Sequence, residues 1–370
     1  MKHTKKSLTV ICHNLTCGGT EKVISNLIYH YARNNIETTI ITLGPAKVFP
    51  AFKISPNTIL IELPKSFSNN IFNRLRNICF WILEINKHMK NNKESIYLSF
   101  LTIPNILTIL ASLNININHY GSERNNPKYI NLPFHWKLLR FITYHRMNTL
   151  IVQTKDIKKM FVNYLPKSKI KIIPNSIKQI TYKPSFNKIN SKKLKVLYLG
   201  RLEYQKGIDI LLESITKIFN SKNMDKFNFI IVGNGSLSGL VEDSIKKNNL
   251  RDYIKFIKGS KNPNNFIRKS HIVLHPSRYE GMSNVVLEAM SYGKCVISTY
   301  QASSEIITSN RNGILLKENT SKEIVETLET ILNKRDLLKE IGLNAIKTID
   351  KSFLEEKILN YWSKVLKINK

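Results

Sequence analysis

Ile272-Val273-Leu274-His275-Pro276-Ser277-Arg278-Tyr279-Glu280-Gly281-Met282-Ser283-Asn284-Val285-Val286-Leu287-Glu288-Ala289-Met290-Ser291-Tyr292-Gly293 reads as a strand, a loop and a helix in succession. Ile272–His275 is a short apolar run of the kind that forms a buried parallel strand. Pro276 ends it, Gly281 permits an unusual backbone in the loop, and Ser283 or Asn284 can N-cap the helix that follows. Glu280 then lies in the loop and Glu288 on the second helical turn, so the two carboxylates can face one crevice from different depths. Carboxylates accept hydrogen bonds from hydroxyls, which suits a sugar and a ribose, and the free N–H groups at the helix start suit a phosphate between them. A capped helix with two exposed acids is the plainer alternative. It explains Ser283, but not a Gly-Met-Ser-Asn loop between the acids.

The same alternation extends in both directions. Apolar runs at Leu8–Cys12, Thr38–Leu43, Ile59–Leu63, Ile96–Leu101, Leu150–Gln153 and Ile170–Ile173 are followed by others at Lys195–Leu199, Phe227–Val232, Ile254–Ile257, Ile272–His275 and Cys295–Thr299. The segments between them are long enough for crossover helices, and repeated strand–helix units predict an α/β doubly wound fold. The alternation pauses over Asn175–Lys193, which is polar, carries Pro184 and lacks a period. It reads as an interdomain linker, with a long surface loop as the alternative. The predicted domains are 1–176 and 194–350, with 177–193 as linker and 351–370 as a closing helix.

Two more strand ends carry ligand-binding chemistry. Gly18 and Gly19 follow the first strand and precede an amphipathic helix, so backbone can pass close to a ligand and the helix start can hold an anion. A plain tight turn would look the same. The strand Lys195–Leu199 ends at Gly200, followed by Arg201, Leu202, Glu203, Tyr204, Gln205, Lys206 and Gly207. Arg201 and Lys206 therefore fall at the carboxyl edge of a sheet, where open α/β sheets bind ligands. Arg offers phosphate a rigid fork of donors and Lys a movable point charge.

With 57 basic against 26 acidic residues the chain carries +31, a field that attracts nucleic acid, anionic lipid or phosphorylated ligands. Lys, Asn and Ile are abundant throughout, so part of that charge reflects composition. Apolar residues make up 42%, which excludes wholesale disorder. Cys12, Cys17, Cys79 and Cys295 form no CxxC pair, arguing against a zinc site or disulfide framework and for a reducing cytoplasm. The basic N-terminus lacks the apolar length and cleavage site of a signal peptide, and no stretch reaches the roughly 18 unbroken apolar residues of a membrane span. Ile71–Lys90 and Pro133–Met147 are basic, aromatic and helical in period. Such helices can lie in a headgroup layer, or can pack on a sheet with a solvated basic face.

GRLEYQKG, followed about eighty residues later by EGMSNVVLEAMSYGKCVIST, resembles the retaining GT-B glycosyltransferases, whose hallmark is Glu, seven residues, Glu. The opening CGGTEKV is similar to that family's GGAE-type loop, Ile173-Pro174-Asn175-Ser176 to the motif ending its first domain, and Asn312-Gly313-Ile314-Leu315-Leu316 to a late element. The resemblance implies two Rossmann-like domains facing a cleft: an acceptor-side domain over 1–176, a donor-binding domain over 194–350, and C-terminal helices partly crossing back. It implies a UDP-linked sugar donor as co-substrate, no metal and no other cofactor, and anomeric retention by front-face attack.

On that analogy Arg201, Lys206 and Glu280 are the catalytic candidates. Arg201 and Lys206 hold the diphosphate, Glu280 meets the sugar hydroxyls, Gly281, Met282, Ser283, Asn284 and Val285 run past sugar and phosphates, and Glu288 takes the ribose. Gly18, Gly19 and Gly200 complete the donor set. Many members carry a His at the end of a first-domain strand, where this chain has Arg124. Ser122, Glu123 and Arg124 resemble a subgroup that builds surface polysaccharides or lipid-linked glycans and are the acceptor-side candidates, while His119 reads as a residue of a surface loop. The implied acceptor is a glycan borne on polyprenyl diphosphate, as in O-antigen or capsule assembly, at the inner face of the cytoplasmic membrane, with an anionic membrane surface as partner. The alternatives are a sugar-nucleotide 2-epimerase of similar fold and a basic nucleic-acid-binding protein. For the latter no module signature is present, so nucleic acid is not an expected partner.

Overall fold

The structure is a computed structural model that describes residues 6–16, 18–44, 46, 54–64, 71–181, 191–221, 223–260 and 262–368. It contains two compact units, one formed by residues 1–175 with 358–370 and the other by 176–357. Most of the segment read as linker lies outside the described residues.

In the first unit the strands are β1 (Ser7–Cys12), β2 (Glu37–Thr42), β3 (Ile59–Glu62), β4 (Ile96–Phe100), β5 (Asn118–Glu123), β6 (Thr149–Val152) and β7 (Ile170–Ile172). The helices are α1 (Gly19–Arg33), α2 (Ile71–Asn91), α3 (Thr102–Ala111), α4 (Phe134–Thr143) and α5 (Lys155–Phe161). The strands form one parallel sheet in the order β3-β2-β1-β4-β5-β6-β7. Central strands such as β4 are buried along their whole length, as apolar runs covered by helices on both faces must be. β3 lies at the edge and is largely exposed.

The second unit holds β8 (Leu194–Leu199), α6 (Ile208–Phe219), β9 (Phe227–Val232), α7 (Ser238–Lys247), β10 (Ile254–Ile257), α8 (Asn264–Lys269), β11 (Ile272–His275), α9 (Asn284–Ser291), β12 (Cys295–Thr299), α10 (Tyr300–Ser303), β13 (Ile314–Leu316), α11 (Ser321–Asn333) and α12 (Asp336–Ser352). Its strands also form a parallel sheet, in the order β10-β9-β8-β11-β12-β13. Both sheets thus wind outward in two directions from a central pair, β1/β4 in the first and β8/β11 in the second. Loops leaving such a pair diverge, and the gap between them at the carboxyl edge is the usual ligand position.

The α/β architecture is the expected one, with two strands added. β5 is the polar, glycine-containing sequence NHYGSE, which makes no apolar run, and β13 is the three-residue Ile314–Leu316. His119 is accordingly no surface-loop residue. It lies buried within β5, bonded to Ser99 Oγ at 2.7 Å, and burial drops its pKa to about 3.

The last helix, α13 (Glu355–Leu366), sends Ile358, Leu359, Trp362 and Leu366 into the core under β1 and β4. Trp362 lies against Phe100, with ring centroids 6.2 Å apart, and Ser363 Oγ is 3.2 Å from the Tyr31 hydroxyl on α1. A chain end carrying a buried tryptophan is structural for the unit it enters. Trp362→Ala is expected to destabilise the first unit by about 3–5 kcal/mol. Hydrogen exchange checks this: amides of β1 and β4 should lose protection while those of β8 keep it, and unchanged β1 protection would contradict it.

Candidate active site

The loop after β8 and the loop after β11 flank the central strand pair of the second sheet, and they are joined by a part-buried ion pair. Lys206 Nζ donates to Glu280 Oε1 at 2.5 Å, with the side chains 16% and 10% exposed. His275, the last residue of β11, brings Nε2 to 3.2 Å from the same carboxylate oxygen and 3.1 Å from Ser277 Oγ. Burial holds the His275 ring below its usual pKa, so it is neutral at pH 7 and with its proton on Nε2 donates to Glu280. Burial by itself would raise the Glu280 carboxyl. The Lys206 ammonium and the His275 bond together outweigh it, bringing the pKa down to about 2.

A second clamp fixes the loops that carry this pair. Arg278 grips Asp209, in the first turn of α6, through two parallel bonds, Nη1 to Oδ1 at 2.8 Å and Nη2 to Oδ2 at 2.7 Å. Its guanidinium lies 3.6 Å from the centroid of the Tyr204 ring, and Nη1 also donates to the Tyr204 carbonyl at 2.6 Å. The Arg278 N–H bonds the Gln205 carbonyl at 2.8 Å, and Gln205 Nε2 bonds the Tyr279 carbonyl at 3.0 Å. Gly207 adopts φ +67°, and a Cβ there would run into the Pro276 carbonyl, so only glycine lets the two loops approach this closely. Gly233 and Gly235, after β9, do the same against the Gly200 and Leu202 carbonyls.

Several predicted site residues therefore gather at one edge. Lys206 and Glu280 are in direct contact. Gly200 opens the β8 loop, and its N–H bonds the Val232 carbonyl at 3.1 Å. Arg201 faces a different acid: its guanidinium is 3.1 Å from Glu203 Oε2 and 62% exposed, so the two cations do not share a carboxylate. Gly281 leads into Met282, which is buried in the core, and Ser283 caps α9 by accepting from the Val286 N–H at 3.4 Å. Asn284 and Val285 are the first residues of α9, and Glu288 is half-buried one turn further on. The N–H groups of Asn284 and Val285 lie in the first turn of the helix, at the positive end of its dipole.

The first unit tells a different story. Gly18 is the N-cap of α1 with no side-chain cap bond, and Gly19 is its first residue. Ser122, Glu123 and Arg124, the acceptor-side candidates, are all buried. Glu123 accepts from Thr102 Oγ1 at 2.7 Å and from the Tyr144 hydroxyl. Arg124 donates to the Ile173 carbonyl at 3.3 Å and to Asn175 Oδ1, and burial without a carboxylate partner lowers its pKa to about 9. Arg124 thus ties the end of β5 to the end of the first unit, and Glu123 ties it to Thr102 and Tyr144. The cause is that β5 runs to Glu123, one strand further than the apolar pattern showed.

Sequence reasoning passed over His275, Arg278, Asp209, Gly233 and Gly235. The Gly233-Asn234-Gly235 turn after a strand was a readable sign of close backbone approach. Nothing in spacing links Arg278 to Asp209, which meet only through the fold. Among the described residues no cluster of three or more His, Cys, Asp or Glu could hold a metal ion, and no helix is long and apolar enough to cross a membrane.

The chain's likeness to known proteins follows the same division. The family described as Glycosyltransferase Family 4 matches residues 17–178, and that described as Glycosyl transferases group 1 matches residues 180–348. An N-acetylgalactosaminyltransferase of Campylobacter jejuni, whose name gives it an undecaprenol-PP-linked glycan as acceptor, is 24% identical over 97% of this chain and 98% of its own. Among solved structures, sucrose-phosphate synthase of Thermosynechococcus elongatus superposes with a TM-score of 0.82 at 14% identity, covering 98% of each chain. HepE of Anabaena, solved in complex with UDP, gives 0.79 at 16% identity over 98% of this chain and 99% of its own. With a glycosyltransferase family matched in each half and the fold shared along the whole length, the chain belongs to the GT-B glycosyltransferases of group 1 and family 4.

Proposed function

We propose that this glycosyltransferase moves a hexose or N-acetylhexosamine, with retention, from a UDP-linked donor to a glycan carried on polyprenyl diphosphate at the inner face of the cytoplasmic membrane. The observation that carries the donor half is the Lys206–Glu280 pair at the carboxyl edge between β8 and β11. A departing nucleoside diphosphate builds negative charge. Lys206, already oriented by Glu280, and Arg201, on the same loop, supply fixed positive charge where it grows. The N–H groups of the first turn of α9 suit a phosphate, and Glu288 suits the ribose hydroxyls. Glu280 is ionised at pH 7 and therefore acts as a hydrogen-bond acceptor for sugar hydroxyls, not as a proton donor.

The acceptor half is supported by the name of the Campylobacter jejuni relative, which specifies an undecaprenol-PP-linked glycan. UDP is supported as the donor nucleotide by its presence in the HepE complex. A screen of nucleotide sugars against undecaprenyl-diphosphate-linked acceptors, read by mass spectrometry, tests the whole reading. One added sugar on the lipid-linked glycan, with UDP released, is expected. A new sugar nucleotide formed in the absence of acceptor would instead mark an epimerase.

Substitutions separate the roles. Arg201→Ala and Lys206→Ala should mainly lower kcat, because the charge they meet grows in the transition state. Glu288→Ala should mainly raise the donor KM. Equal kinetics in all three variants and the parent would contradict the assignment.

Acid should act on the same pair. The Glu280 pKa falls from 4.5 in a free carboxyl to about 2 in the fold. Its contribution to stability is therefore complete above pH 4.5 and is lost as the pH falls towards 2. Urea unfolding of the parent and of Glu280→Gln should give a stability difference that shrinks over that window. A difference that is flat with pH would show that the carboxylate is not held by Lys206.

A further inference from the structure

One aromatic ring at the ligand edge of the second unit is both exposed and held still. Tyr204 opens the 3₁₀ turn Tyr204–Lys206 in the loop after β8 and is 66% exposed. The Arg278 guanidinium covers one face of its ring, 3.6 Å from the centroid. Asp209 neutralises that guanidinium through the two-bond fork, so the cation is a flat, fixed floor and not a free charge. The Tyr204 carbonyl is tied twice, by Arg278 Nη1 at 2.6 Å and by the Gly207 N–H at 3.1 Å. A single exposed aromatic is ordinary. One pinned by a cation against its ring and by two bonds to its own carbonyl has already given up freedom that a ligand would otherwise have to take away.

The place of the ring and its chemistry both fit a sugar. Along this edge the Lys206 and Glu280 side chains are largely covered, while Tyr204, two residues before Lys206, is open to solvent. A donor seated on Lys206 and Glu280 therefore lies deep, and a molecule that comes to it from solvent can pass over the ring at the rim. A pyranose carries C–H groups on its faces and hydroxyls around its edge, so one face can lie flat on an aromatic ring while the hydroxyls stay in water. Tyrosine suits that contact, with a rigid apolar face, a polar tip and only two side-chain torsions to fix. We infer that Tyr204 is a sugar-stacking platform, whose uncovered face carries a pyranose of the acceptor glycan beside the donor seat and so helps to select the acceptor. The inference deepens the reading of a glycan acceptor and rests on it. The plainer role for the ring, a cover that braces Arg278, makes different predictions for the kinetics.

Steady-state kinetics with the donor and lipid-linked glycan found in the nucleotide-sugar screen test this. Tyr204→Ala should raise the acceptor KM about five- to tenfold. Its kcat and donor KM should stay near the parent's, because the fork and both carbonyl bonds do not use the ring. Tyr204→Phe and Tyr204→Trp should keep the parent's acceptor KM, whereas Tyr204→Leu, which covers Arg278 without a flat face, should behave as the alanine variant does. An alanine variant with the parent's acceptor KM overturns the inference, and so does a leucine variant that matches the parent. A donor KM that rises together with the acceptor KM also overturns it, since that marks the ring as a brace for the loop. Saturation-transfer NMR with the methyl α-glycosides of N-acetylglucosamine and N-acetylgalactosamine, with UDP present, reads the platform without turnover: ring C–H signals are expected with the parent and not with Tyr204→Ala. If the parent transfers no sugar to any lipid-linked glycan but shows that spectral difference, the platform stands and the reading of the acceptor falls. If transfer is absent and the two proteins give the same spectrum, the platform falls as well.

Discussion

The ion pair between Lys206 and Glu280 is the constraint around which the second unit's ligand edge is arranged. Removing two charges from water costs several kcal/mol per ion, and only close geometry with further hydrogen bonds repays it. Here the contact is 2.5 Å and the His275 ring approaches the same carboxylate oxygen. The neighbouring features keep the two loops in register: the Arg278–Asp209 fork, the Tyr204 ring beneath the guanidinium, and the bare backbone of Gly207 against Pro276. A lysine held this way meets an anion with little reorganisation, which is the condition for electrostatic stabilisation of a leaving group.

The two units use the same strand order and spend their polar residues differently. In the second, charged side chains gather at the loops beyond the strands. In the first, Glu123, Thr102, Tyr144, Asn105, Ser99 and His119 form a buried hydrogen-bonded chain running through β4, β5, α3 and the turn after α4. Such a network is satisfied from within, and it fixes the packing of α3 on the sheet. The first unit also leaves Leu75, Phe80 and Leu83 of α2 and Phe134, Leu138, Phe141 and Ile142 of α4 exposed.

Much of this was legible in the sequence because the informative signals were local. Ile272–His275, Pro276, Gly281 and Ser283 follow one another within a dozen positions, and each constrains the backbone where it stands. The position of Lys206 after a strand and a glycine was similarly plain. Three things were hidden. β5 carries polar residues in a strand buried by its neighbours, so its side chains gave no apolar run, and His119 read as a surface-loop residue. Arg278 and Asp209 are partners only across the sheet edge. For α2 the period left two readings open, a helix in a headgroup layer or one packed on a sheet with a solvated basic face, and only the packing shows Leu75, Phe80 and Leu83 exposed.

A crystal of the protein grown or soaked with UDP tests the central claim most directly. The account predicts diphosphate density within hydrogen-bond reach of Lys206 and the first N–H groups of α9, with the ribose at Glu288. UDP bound away from these groups, with the Lys206–Glu280 pair facing an empty edge, would contradict it.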